Sequence, residues 1–436
     1  MKTVIMAGGK GTRITSIASD IPKPMIKIGD KPILEHEIDC LRKQGFTDII
    51  ITVSHLGNII MDYFGDGSKL SPATGKPFGV NIEYFVEKNP LGNAGALFKI
   101  KDKLTSDFLL LNADALFDID FNRFVKFHNK NKALVTLFTH PNNHPYDSGL
   151  IIADKDNRVL NWINKEEDRP QWYNNRVNAG LHIISPKILE HEIKKDKIDL
   201  DRDLLKPLAG TGLMYSYNSP EYVKDMGTPD RYYDTCKDLL SGKVFEKNLI
   251  NKQKAVFLDR DGTINKYVGF LRNIEQLELI ENATEAIKKI NNSGYLAIVV
   301  TNQPVIARGE VTYEQLDQMH KKMETLLGKE GAYLDGIYFC PHHPDKGFEG
   351  EIKELKIDCK CRKPNPGMIL KAASDFNIDL ENSWMIGDSR SDIFAGKNAN
   401  CHTAYINSSK ENNNDMDCDV YGKNLLDCIN KILEKE

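Results

Sequence analysis

Short apolar runs that close on glycine- or acid-bearing turns alternate with amphipathic segments, and this rhythm starts twice within 436 residues. It opens at KTVIMA (2–7) and opens again at KAVFLD (254–259). Such runs are strands buried on both faces, and their alternation with helical patterns builds parallel α/β sheets. The chain therefore reads as an α/β protein of two domains, residues 1–240 and 254–436, joined by a polar linker over 241–253. DIIITV (48–53), NIEYFV (81–86) and FLLLNA (108–113) continue the first strand series, with helices expected over 31–44 and 95–103. YLAIVV (295–300), GIYFC (336–340) and WMIGD (384–388) continue the second. Its helices are expected over 282–292, 312–328, 367–377, 390–398 and, after a polar loop, 422–434.

The length suffices for two separate cores. The 58 basic and 62 acidic residues nearly cancel, to a net charge of −4, which argues against a nucleic-acid coat or a membrane-surface protein. No run approaches the ~18 apolar residues of a membrane span. The start, MKTVIMAGGKG, lacks the apolar core and cleavage site of a secretory signal, so the expected compartment is the cytoplasm. Oligomerisation is left open. Of the 8 cysteines, Cys40, Cys236, Cys401, Cys418 and Cys428 are scattered like small core thiols. Cys340, Cys359 and Cys361 instead gather with His342, which is a metal pattern and not a bridge pattern. Four such ligands suit tetrahedral zinc and leave no open position, so one structural Zn2+ is expected.

AGGKGTR places Ala7, Gly8, Gly9, Gly11, Thr12 and Arg13 directly after a buried strand. Glycine lets backbone N–H groups approach a phosphate closely. Arg13, and Lys23 in PKPM, suit a triphosphate and a departing pyrophosphate. Alone, the string would be read as an ordinary glycine turn with solvated cations. It is followed in order by LGNAGA (91–96), NAD (112–114), VNAG (177–180) and KDMGTPDRY (224–232). The set resembles the sugar-1-phosphate nucleotidyltransferase family through roughly the first 235 residues. The resemblance implies a Rossmann-like domain in which a sugar phosphate oxygen attacks a nucleoside triphosphate in line, by positioning and charge neutralisation. Asp114 and Asp225 then match the Mg2+ carboxylates. Asn178 and Gly180 match positions that hold sugar hydroxyls, and Lys165 matches a contact to the sugar phosphate. Glu87 and Gly92 match the base-reading turn, where an ionised Glu87 would accept the paired N1–H and N2–H of guanine. A solvated strand-end glutamate is the equal alternative. Ile14 stands where the family usually has Leu. WINK (162–165) stands where it often reads F-x-E-K, which leaves the sugar open.

FLDRDGT (257–263) resembles the first motif of the haloacid dehalogenase superfamily, and VVTNQ, CRKP and GDSRSD follow in order. The resemblance implies Asp259 as nucleophile, Asp261 as general acid and base, and Thr301 and Lys363 on the phosphate oxygens. Mg2+ would be held by Asp259, Asp388 and the Asp261 carbonyl. IARG (306–309), DGIYFCPHHP (335–344) and CRKPNPGM (361–368) narrow the likeness to heptose bisphosphate phosphatases, with His342 and not His343 on the zinc. Pro304 and Val305 depart from the usual Ser-Gly. Asn302, Arg308 and Arg362 would then meet the substrate. A second phosphate accounts for the two arginines, and solvated arginines are the alternative.

Together the resemblances imply two consecutive steps. Heptose 1,7-bisphosphate would lose its 7-phosphate, and heptose 1-phosphate would react with GTP to give GDP-heptose, a precursor for lipopolysaccharide, S-layer or capsule. Rival readings are mannose 1-phosphate or another sugar in the first half and histidinol phosphate in the second, against which IARG weighs. A scaffold with one dead site is a third, opposed by intact Asp114, Asp225, Asp259 and Asp261.

Overall fold

A computed structural model describes residues 1–8, 20–190, 193–347, 349–407 and 416–435. Its contacts divide the chain into two compact units. The first comprises Met1–His140, Gly149–Asn164 and Asn178–Ile250, and the second Pro141–Ser148, Lys165–Val177 and Asn251–Glu436.

A nine-stranded sheet organises the first unit. In spatial order it runs Val159–Ile163, Leu150–Ala153, Val177–Ile184, Phe108–Asn112, Thr3–Met6, Asp48–Val53 and Asn81–Val86. Val135–His140 branches from Val177–Ile184 and pairs in turn with Met214–Asn218. Thr3–Met6 lies parallel to both its neighbours. Strand alternation sends Ile5, Ile49, Ile51, Leu109 and Leu111 into one core cluster, and Val4, Ile50, Phe108 and Leu110 into another. Both faces are therefore buried, which is why these strands read as continuous apolar runs.

The helix expected from residue 31 begins two residues later, at Ile33–Lys43. Lys31–Pro32 instead pairs with Lys27–Ile28, and Pro32, with no N–H to donate, serves as the N-cap. The helix expected over 95–103 is Gly95–Lys99 followed by a tighter turn over Lys101–Lys103. Two short antiparallel strands, Ala115–Asp118 and Tyr222–Asp225, place Asp225 opposite Ala115. Met226 N–H then donates to the Asp114 carbonyl at 3.1 Å, which holds the two acid-bearing turns together.

The stretch read as a linker is packed. It carries the helix Lys243–Glu246, and Val244, Asn248 and Leu249 are buried. The buried Glu221 carboxylate accepts Leu249 N–H at 3.0 Å and Asp120 N–H at 2.6 Å. Ser219 Oγ donates to its second oxygen at 2.8 Å.

A six-stranded parallel sheet organises the second unit, in the order Gly336–Cys340, Tyr295–Asn302, Lys254–Leu258, Trp384–Gly387, His402–Ile406 and Val420–Gly422. From Lys254–Leu258 the chain winds to one side and later returns to the other. The strand ends at Asp259, Thr301 and Asp388 therefore border the crevice where the winding reverses, the usual ligand position in such sheets. Ala283–Asn292, Tyr313–Lys329, Gly367–Phe376, Arg390–Asn398 and Leu425–Leu433 are its main helices. Within this unit Tyr173 N–H donates to Thr325 Oγ1 at 2.9 Å and Asn174 Nδ2 to Glu324 Oε2 at 2.7 Å.

Candidate active sites

In the first unit the described residues begin the phosphate turn with Ala7 and Gly8, and Gly9, Gly11, Thr12 and Arg13 lie outside them. Ala7 N–H donates to Thr52 O at 2.9 Å and Ser54 Oγ donates to Gly8 O at 2.6 Å. These bonds tie the turn to the end of the neighbouring strand. A Cβ on Gly8 would stand 3.1 Å from Glu87 Oε1, so the turn passes directly over that carboxylate. Glu87 Oε2 accepts Leu91 N–H at 3.3 Å, and partial burial raises its pKa above the ordinary value. Gly92 has φ +81°, and a Cβ there would fall 2.3 Å from Ile198 O, a position only glycine can fill.

Asp114 receives Lys23 Nζ at 2.7 Å. Asp225 receives Arg231 Nη1 at 2.9 and 2.8 Å and Gly227 N–H at 3.0 Å. Burial pushes the Asp225 carboxyl up, yet Arg231 and the lesser charge of Lys23 bring it below its ordinary range. Asp225 is thus held as a carboxylate, on a turn adjoining that of Asp114, and paired carboxyl groups are the hard-oxygen donors that magnesium takes. Asn178 Oδ1 accepts Gly180 N–H at 3.4 Å and lies 3.2 Å from His182 Nε2. Gly180, at φ +76°, leaves room for Asn112, whose Nδ2 would be 2.5 Å from a Cβ. Lys165 falls in the second compact unit, whereas Asn178 and Gly180 fall in the first.

In the second unit Lys363 Nζ joins Asp259 Oδ1 at 2.8 Å and Asp392 Oδ1 at 2.6 Å. Asp392 is fully buried, and its other oxygen accepts Ser389 N–H at 3.0 Å and Ser389 Oγ at 2.7 Å. Carboxylate oxygens of Asp259, Asp388 and Asp392 lie within 4.8 Å of one another. Burial, and then the Asp392 charge, raise Asp259 against the pull of Lys363. The same two causes push Asp388 up to about 6. Three acids gathered on one ammonium are short of positive charge, which a divalent ion would supply.

Asp261 is treated differently. Burial would raise it, but Arg260, Asn265 and Gln303 bring it below its ordinary value. Arg260 Nη2 reaches the two Asp261 oxygens at 3.0 and 2.8 Å, Asn265 Nδ2 donates at 3.0 Å and Gln303 Nε2 at 2.9 Å. Arg260 is 0% exposed and is backed by His320 Nε2 at 3.3 Å. Gln303 Nε2 also donates to Thr301 Oγ1 at 2.9 Å, which joins the two motifs.

Arg260, Asn265, Gln303 and His320 were not among the residues expected from sequence, nor was Arg231 beside Asp225. The Asn302 amide closes on the Lys363 peptide, accepting its N–H at 3.0 Å and donating to its carbonyl at 3.1 Å. Arg362 Nη1 donates to His342 O at 3.3 Å. The Arg308 guanidinium lies 4.1 Å from the Phe270 ring centroid.

Cys340, His342, Cys359 and Cys361 converge. The Sγ–Sγ separations are 3.5, 3.2 and 3.2 Å, and His342 Nδ1 stands 3.6 Å from Cys340 Sγ and 3.3 Å from Cys361 Sγ. A tetrahedron with Zn–S of about 2.3 Å has S–S edges of about 3.8 Å, so the four atoms need only spread slightly to hold zinc. His343 turns away, its Nδ1 accepting Asp345 N–H at 3.1 Å.

Paired carboxyl groups on adjoining turns in one unit, and a strand-end Asp–x–Asp with its lysine in the other, suit a nucleotidyltransferase and a phosphatase on one chain. Residues 2–242 match the family model described as nucleotidyl transferase, and residues 360–427 match one described as HAD-hydrolase-like. The D-glycero-beta-D-manno-heptose-1,7-bisphosphate 7-phosphatase of Pasteurella multocida is 45% identical over 147 residues, covering 34% of this chain and 77% of that protein. A UTP–glucose-1-phosphate uridylyltransferase of Synechocystis sp. is 32% identical over 259 residues, covering 56% of this chain and 64% of that protein. The crystal structure of HddC from Yersinia pseudotuberculosis matches with 27% identity and a TM-score of 0.46, covering 55% of this chain and 99% of that one. The chain belongs to the nucleotidyl transferase family and, through its second half, to the family of D-glycero-beta-D-manno-heptose-1,7-bisphosphate 7-phosphatases. Among the described residues no helix is long and apolar enough to cross a membrane.

Proposed function

We propose that the second unit hydrolyses the 7-phosphate of D-glycero-D-manno-heptose 1,7-bisphosphate, and that the first transfers a guanylyl group from GTP to the heptose 1-phosphate. The observation that carries this reading is the 45% identity to a heptose bisphosphate phosphatase, on a chain that also holds a nucleotidyltransferase. The product of one reaction is then the substrate of the other. Asp259 attacks phosphorus and forms an aspartyl phosphate as the sugar oxygen departs. Asp261, once protonated, gives that oxygen a proton; returned to the ionised form that Arg260, Asn265 and Gln303 favour, it takes a proton from the water that displaces Asp259 from phosphorus and frees the phosphate. Lys363 and Thr301 hold phosphate oxygens, and Arg308 and Arg362 take the phosphate that is retained.

In the first unit Lys23, with Arg13, would neutralise the triphosphate, Glu87 would read the base, and Asn178 and Gly180 would hold the sugar phosphate. Magnesium, held by Asp114 and Asp225 in one site and by Asp259, Asp388 and the Asp261 carbonyl in the other, would supply charge neutralisation to the transferred group. Zinc on Cys340, His342, Cys359 and Cys361 would be structural.

A uridylyl reading is favoured by the 32% identity to a UTP–glucose-1-phosphate uridylyltransferase. The test offers the purified protein heptose 1,7-bisphosphate with GTP, UTP, ATP or CTP, and reads products by mass. GDP-heptose, phosphate and pyrophosphate are expected. UDP-heptose as main product supports the second reading, and failure to release phosphate from the bisphosphate rejects both.

A further inference from the structure

His182 stands on the central strand Val177–Ile184, four positions after Asn178, and is 0% exposed. Its Nε2 lies 3.2 Å from Asn178 Oδ1, and Gly180 N–H points at the same oxygen at 3.4 Å. A backbone N–H can only donate, so Gly180 identifies that side of the amide as the carbonyl. The facing imidazole nitrogen must then carry the hydrogen. Burial holds the ring neutral, pushing its pKa to about 3, so it has one N–H to give. His182 Nδ1 has no hydrogen-bond partner among the described residues, as a bare ring nitrogen in an apolar core.

We infer that His182 is a positioning residue of the transferase: it fixes the Asn178 amide so that its NH2 group is what the site offers to substrate. The inference rests on the reading of Asn178 as a sugar-binding residue. It adds the polarity of the contact. The ligand atom must accept hydrogen bonds, as a hydroxyl or phosphate oxygen of a sugar phosphate does.

The test is steady-state transferase kinetics with GTP and D-glycero-D-manno-heptose 1-phosphate on the full chain. Asn178→Ala should raise KM for the sugar phosphate, and no change there rejects the reading of Asn178 itself. His182→Phe should raise the same KM by about tenfold, the scale of one lost hydrogen bond, with KM for GTP and phosphatase activity unchanged. In the Asn178→Ala background it should add nothing, because the two residues act as one unit. His182→Gln, which keeps an N–H donor, should restore binding. A wild-type KM in His182→Phe beside a weakened Asn178→Ala would overturn the inference and leave the reading intact. Should His182→Phe fail to fold, His182→Gln decides: wild-type binding supports the inference, and a tenfold loss overturns it.

Discussion

Glu87 already has one oxygen on the Leu91 N–H, yet each carboxylate oxygen can accept more than one bond. It therefore still offers two parallel acceptors to a base. Glu87→Gln should lower kcat/KM for GTP by on the order of tenfold to a hundredfold, as expected for bonds to a charged group worth ~1.5–3 kcal/mol. The loss should be smaller for ITP, which lacks the exocyclic amine; equal losses would show that Glu87 does not sense that group. Glu221 makes a second residue-scale prediction. Burial outweighs its three hydrogen bonds and pushes its pKa from 4.5 up to about 7. The folded state thus keeps a proton that the unfolded chain has already released. Stability from this source is complete below about pH 4.5, declines as pH rises, and is fully lost above about pH 7, on the order of 3 kcal/mol in all. Hydrogen exchange at the Leu249 amide reports it locally. Protection should fall across that window in the wild type and stay level in Glu221→Gln, and a parallel fall in both would refute the assignment.

Among the elements, the segment that carries the Cys/His cluster joins the strand Gly336–Cys340 to the turn before Gly367–Phe376, and that turn also carries Arg362 and Lys363. One zinc per chain should co-purify and survive magnesium removal. Structural zinc can contribute on the order of 10 kcal/mol to folding, so Cys359→Ser should lower the unfolding temperature of the second unit far more than that of the first. Zinc-free protein with full phosphatase activity would contradict this.

The central strands were legible because both faces are buried. Val159–Ile163 was not, since Leu160 within it is 52% exposed and the alternation of an antiparallel edge is weak over five residues. The candidate acids of both sites were legible only as letters of ordered motifs that resemble known families. Arg260 did not: between two aspartates it reads as a solvated cation, and only the fold shows it inside the core beneath Asp261. Gln303 was visible as a letter of VVTNQ, but nothing in a linear string says that its amide spans Thr301 and Asp261. Likewise Asp392 is a letter of GDSRSD, and only the fold shows one of its oxygens capping the helix start through Ser389 while the other holds Lys363.

For the whole molecule, the candidate acids of the two chemistries fall in separate units, Asp114 and Asp225 in the first and Asp259 and Asp261 in the second. Asp259→Asn should abolish phosphate release and leave nucleotidyl transfer from supplied heptose 1-phosphate near normal, and Asp114→Asn should do the reverse. An equimolar mixture of the two variants should then make sugar nucleotide from bisphosphate by diffusion of the intermediate. A mixture that releases phosphate without making sugar nucleotide would mean that intermediate must stay on the chain that made it. The phosphatase crevice also constrains the gene. A Cβ on Gly262 would fall 1.9 Å from Asp388 Oδ2, and one on Gly387 would fall 2.2 Å from Asp392 Oδ2. Every single-base change that alters a glycine codon either adds that carbon or stops translation. These two codons therefore have no neighbouring missense allele that leaves the carboxylates in place, and drift can cross them only in silence.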